Sequence, residues 1–105
     1  MSYFAVLRDA GPAWTDGNGA FEQLGVDAHA AFMNALAEEG LVLFAGPLAG
    51  SEHGRIRVLL IVKADSEAVV LDRLAADPWA QAGRLVTTSI EPWNLFVGAD
   101  RIAAA

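Results

Sequence analysis

The chain has 105 residues, of which 54% are hydrophobic, and a formal net charge of −6. That length supports one domain, residues 1–105, with a single modest core, and the acidity argues against a nucleic-acid partner, which needs clustered Lys and Arg. With no cysteine, disulfides and thiolate metal sites are excluded and a cytoplasmic location is the simplest assumption.

The first element in chain order is a strand over Tyr3–Arg8. Met1–Asp9 lacks the basic region and apolar run of a secretory leader, and no stretch approaches the ~18 apolar residues that span a bilayer. No membrane partner is expected. A Gly-rich loop then runs from about Asp9 to Val26 and carries Trp14. Loops of this length in small domains are commonly functional or mobile. Asp27 is read as the N-cap of a first helix that ends at Gly40. Leu41–Ala45 is a buried strand, stopped by Gly46-Pro47. A polar turn around Gly50–Gly54 leads into the strongest strand, Arg55–Val62. Asp65 or Ser66 caps a second helix that Asp77-Pro78 terminates. A short helical turn over Pro78–Ala82 closes at Gly83. Arg84–Ile90 is a strand, Glu91-Pro92 a break, and Trp93–Val97 a shorter strand; Arg101–Ala105 is a frayed tail.

The order βαββαβ, with an extra C-terminal strand, is that of an α+β ferredoxin-like sandwich. A sheet with one wet face alternates apolar and polar residues. Here Ile56, Val58, Leu60 and Val62 point one way while Leu59 and Ile61 point the other. In the second strand Leu41, Leu43 and Ala45 oppose Val42 and Phe44. Both faces therefore need cover, and a homodimer pairing sheet to sheet supplies it. Cover by the chain's own loop or C-terminal segment is the other solution.

His29 is the leading functional candidate. At helical spacing it shares a face with Phe32, Met33 and Leu36, so a titratable ring opens an apolar stripe. The first-turn macrodipole disfavours the imidazolium, which suits a proton acceptor. Asp77 has two compatible readings: a cap for the turn that Pro78 begins, and a carboxylate that orients His29. Trp79 and Trp93 read first as core or interface anchors and second as substrate platforms, with Trp79 the candidate substrate-binding residue. Trp14 reads equally as a lid over an apolar ligand and as a loop anchor. Arg8 reads first as a solvated strand end and second as a binder of a carboxylate or enolate oxygen. Ser89 is a candidate hydrogen-bond donor into the same site. His53 sits in a Gly-flanked turn and reads as solvated. The two histidines make no metal motif, and the glycines around Asp16–Gly19 lack a phosphate-loop context.

Ordered stretches along most of the chain resemble the YCII-related family. They are Tyr3-Phe4-Ala5-Val6-Leu7, His29-Ala30-Ala31-Phe32-Met33, Gly46-Pro47-Leu48, Ala64-Asp65-Ser66-Glu67, Asp77-Pro78-Trp79 with Gly83, and Ile90-Glu91-Pro92-Trp93. The resemblance implies a ferredoxin-like protomer pairing as a dimeric α/β barrel, with His29 and Asp77 as an active-site dyad. The functional expectation is a cofactor-free, metal-free lyase or isomerase that moves a proton on a cyclic hydroxylated or ketonic small molecule. The alternative is a non-catalytic dimeric module that binds a small ligand or a protein. A haem-dependent oxygenase is a distant third, since His29 is the one plausible axial ligand.

Overall fold

Alternation fixes the layers. In the first strand, β1 (Ser2–Ala10), Phe4, Val6 and Arg8 are buried while Tyr3, Ala5, Leu7 and Asp9 are half-buried. One face of the sheet is therefore covered and the other is not. The computed structural model describes residues 1–103. Its other strands and α-helices are α1 (Val26–Glu38), β2 (Val42–Pro47), β3 (Arg57–Ala64), α2 (Glu67–Ala75), α3 (Pro78–Gln81), β4 (Leu85–Pro92) and α4 (Ala99–Ala103). The sheet order is β2-β3-β1-β4, with every neighbouring pair antiparallel. This is the ferredoxin-like α+β arrangement that the element order predicts.

Both flanking strands run further than the sequence suggests. β2 continues through Gly46-Pro47 and β4 through Glu91-Pro92. The reason is position: both are edge strands, where a proline's missing N–H need not break a ladder. Alternation in β2 is also reset. A register shift between Val42 and Phe44 puts Val42 opposite Val62 and Ala45 opposite Leu60. The expected split of Leu41, Leu43 and Ala45 against Val42 and Phe44 fails there, and Leu41 and Val42 are both buried.

The extra C-terminal strand does not form. Trp93 donates one backbone bond to Tyr3 O (2.9 Å), after which the chain leaves the sheet. A short helix, α4, follows where a frayed tail was expected; Ala104 and Ala105 lie outside the described residues.

The helix boundaries follow local chemistry. Asp27 is not the α1 cap. The chain turns at Gly25 (φ +78°), a left-handed conformation suited to glycine, and α1 begins one residue before Asp27. Asp27 lies instead in the first turn, where the macrodipole favours its charge. Ser66 caps α2 by accepting the Val69 N–H. Asp77 caps α3 by accepting the Trp79 N–H at 2.9 Å, with Pro78 at the first helical position.

The core has two parts. The larger gathers Phe4, Val6, Leu36, Val42, Leu60, Val62, Val70 and Leu74, among others. The smaller is built on Trp14, Ile56, Trp79 and Leu85, with Ala10 packed against it. Along β1, Val6 belongs to the first and Ala10 touches the second, so Arg8 falls between them.

Candidate functional site

Arg8 is not a solvated strand end. It shares period-two parity with Phe4 and Val6, and only 1% of it is exposed. A bulge beside it supports this placement. Leu7 pairs with Ser89 but Arg8 pairs with Thr87, which leaves Thr88 as the extra residue. The Thr88 hydroxyl donates to the Leu7 carbonyl at 3.2 Å.

Inside, Arg8 Nη1 donates to Asp77 Oδ2 at 2.9 Å. Asp77 is fully buried. Its carboxylate also meets His29 Nδ1, at 2.9 Å from Oδ1 and 2.8 Å from Oδ2. With the Trp79 N–H on Oδ1, the side chain collects donors from β1, α1 and its own helix start. An ionised carboxylate only accepts, so Nδ1 is assigned a proton, and in the uncharged form of the ring the lone pair is then on Nε2. Among the described residues nothing hydrogen-bonds Nε2.

The tryptophans hold this geometry. The His29 ring stacks on the Trp79 indole, with centroids 4.0 Å apart and planes 9° apart. Trp79 Nε1 donates to Leu24 O at 2.8 Å. Trp14 meets Trp79 edge-on at 5.5 Å and donates to Gly54 O at 3.1 Å. Both indoles are buried. Trp14 therefore anchors the long loop behind the imidazole and is not placed as a lid; Trp79 backs His29.

The loop is tied down more firmly than its composition suggests. Gln23, buried, accepts from Thr15 N (2.9 Å) and donates to the Thr15 and Asn18 carbonyls (3.0 and 3.1 Å). The sequence does not mark Gln23, because a lone Gln in a Gly-rich stretch gives no periodic signal.

A cleft of about 210 Å³ opens along this site. Arg8 and His29 line it with Met33, Pro47, Val58 and Leu60. Its walls are mostly apolar. Ser89 is not brought to it. Ser89 pairs with Leu7, on the sheet face opposite Arg8. Trp93 is half exposed and lines a different concavity on that opposite face. His53 is exposed, as expected, with Glu52 3.6 Å away. Among the described residues no group of three His, Cys, Asp or Glu is arranged to hold a metal ion. No described helix is long and apolar enough to cross a membrane.

Burial alone would raise the Asp77 carboxyl, but hydrogen bonds and charge outweigh it. The His29 hydrogen bond and charge, the Trp79 N–H and the Arg8 hydrogen bond together hold it below its ordinary value of 3.8. Burial pulls the Arg8 guanidinium down, against the hydrogen bond and charge of Asp77. A carboxyl whose folded value is depressed stabilises the fold above its ordinary value, and that stability is lost as pH falls through the depressed one. Asp77→Asn is therefore expected to cost about 3 kcal/mol at pH 7, measured by denaturant unfolding. The gap from the parent should narrow below pH 3.8. A gap that stays constant from pH 7 to pH 2 would show that the carboxylate's charge does not matter.

Two comparisons place the chain among known proteins. The model of the YCII-related domain matches residues 3–94. The solved structure of 5-chloro-2-hydroxyhydroquinone dehydrochlorinase (TftG) from Burkholderia phenoliruptrix AC1100, in complex with 2,5-dihydroxybenzoquinone, superposes with a TM-score of 0.63 at 23% identity. The match covers 90% of this chain and 95% of that one. Among curated proteins none matches. The fold, and a family match running from the first strand to just past the last, lead to one conclusion: the chain belongs to the YCII-related family.

Proposed function

We propose that this protein is a small-molecule enzyme, an elimination-type lyase or an isomerase, acting on a cyclic hydroxylated or ketonic compound without a cofactor. The observation that carries this reading is the state of His29. Its Nδ1 is committed to a buried carboxylate, its ring is clamped on Trp79, and it lines an apolar cleft. The lone pair on Nε2 is then available to take a proton from a ring hydroxyl or from a carbon next to a carbonyl. Asp77 orients the ring and stabilises the imidazolium that forms. In an isomerisation the proton returns at another atom. In an elimination the C–H electron pair becomes the new double bond, and the leaving group departs with its own pair. The TftG structure supports the class: its name describes removal of chloride from a hydroxylated ring.

The test is turnover of chlorinated and unchlorinated hydroxyhydroquinones and cyclic ketones, followed by absorbance. His29→Ala should lower kcat about 10²- to 10⁴-fold in a protein that circular dichroism shows to be still folded. Retained turnover would contradict the proposal. Binding without turnover by the parent protein would favour the non-catalytic ligand-binding module.

We also propose that the protein works as a homodimer, with the uncovered sheet faces packed together. That face carries Leu7, Phe44, Leu59, Ile61 and Val86, and Phe44, Leu59 and Val86 are substantially exposed. Burying such a patch contributes ~25 cal/mol per Å² before the costs of association. Sedimentation should give a dimer mass, and Leu59→Arg a folded monomer. A monomeric parent at micromolar concentration would overturn this.

A further inference from the structure

Arg8 has one more property that the His29–Asp77 pair does not use. Its Nη1 is spent on Asp77, with Met33 Sδ a further 3.9 Å contact. Its Nε and Nη2 are buried and have no hydrogen-bond partner among the described residues. Those two N–H groups lie on the same edge of the guanidinium plane and point the same way, a fork that matches two oxygens side by side. Leaving both unmade is costly in a buried cation. The cost falls at a residue that lines the cleft beside His29.

The charges around the fork are few. Asp77 is the one carboxylate bonded to Arg8, and it is shared with His29. The rest of the cleft lining, Met33, Val58 and Leu60 among it, carries no charge. Against Asp77, Arg8 brings the compensating positive charge, so the site has no surplus of negative charge to repel an anion. The mostly apolar walls lower the local dielectric and so strengthen whatever pairing the fork makes.

We infer that the cleft takes a ring-sized anion, and that the buried Nε–Nη2 edge of Arg8 is what selects it. The ligand presents a carboxylate, or a deprotonated hydroxyl next to a carbonyl, to Arg8, with its ring against Met33, Val58 and Leu60. This rests on the proposed function for the site's location and names the substrate class for it. It also gives Arg8 a division of labour. One edge holds Asp77 in place for His29, and the other orients the substrate.

Calorimetry with matched pairs tests this without requiring turnover. One pair is 2,5-dihydroxybenzoquinone, an anion at neutral pH, against its neutral dimethyl ether; the other is benzoate against benzamide. The parent protein should bind at least one anion about tenfold or more tightly than its neutral partner. Preference in the first pair alone assigns the hydroxy-carbonyl form, and in the second alone the carboxylate. Arg8→Lys keeps a positive charge for Asp77 but removes the fork, and should lose most of the preference while staying folded. Arg8→Met should lose all of it where it folds. Equal binding within both pairs, no binding of any of the four, or a preference unchanged in Arg8→Lys would overturn the inference. His29→Asn separates the two readings. Anion preference kept in that variant, when the parent protein itself turns over none of the compounds tested, would leave Arg8's role standing and remove the catalytic one.

Discussion

A buried carboxylate sets the terms for everything around it. Asp77 is fully removed from water, and an unpaired charge there would be strongly destabilising. It is tolerated because donors converge from three places: Arg8 on β1, His29 on the first turn of α1, and the Trp79 N–H at the start of α3. The same bonds that satisfy the charge fix where those elements sit. The site is thus a constraint on the fold as well as a feature placed upon it.

From that constraint the rest of the cleft follows. Arg8 sits between two apolar clusters, and the bulge at Thr88 falls beside it, where the β1–β4 ladder shifts register. Trp79 caps off the smaller cluster and gives the imidazole a flat surface to rest on. Trp14 meets Trp79 edge-on, and the Gln23 bonds tie down Thr15 next to Trp14. The long loop before α1 therefore serves as a brace for the His29 ring. Arg8 also lines the mostly apolar cleft, and its Nε and Nη2 have no hydrogen-bond partner among the described residues. His29 and Arg8 thus line one cleft, joined through one carboxylate.

Much of this was legible in the sequence. The element order specifies the ferredoxin-like sheet, and Asp77-Pro78-Trp79 specifies a capped helix start with its carboxylate in a defined place. His29 is marked by sharing a face with Phe32, Met33 and Leu36. What was misread turns on neighbours in space. Gly46-Pro47 and Glu91-Pro92 look like stops, but on edge strands a proline costs no ladder bond. Trp93–Val97 looks like a strand, yet it makes only one sheet bond before departing. Arg8 looks like a wet strand end because charge usually ends a strand. Its parity with Phe4 and Val6 was the signal to the contrary, and only the partner that makes such burial affordable, Asp77, sixty-nine residues away, was missing from view. Ser89 shows the opposite case: a bulge that the sequence does not announce decides which face of the sheet its side chain occupies.

The central claim is that Asp77 dictates the state of the His29 ring, and the ring nitrogens report on it directly. Long-range proton–nitrogen NMR on nitrogen-labelled protein should find the uncharged ring protonated at Nδ1, with Nε2 bare, and should find that pattern lost in Asp77→Asn. A ring that carries its proton on Nε2 in the parent protein, or one indifferent to the Asp77 substitution, would contradict the account.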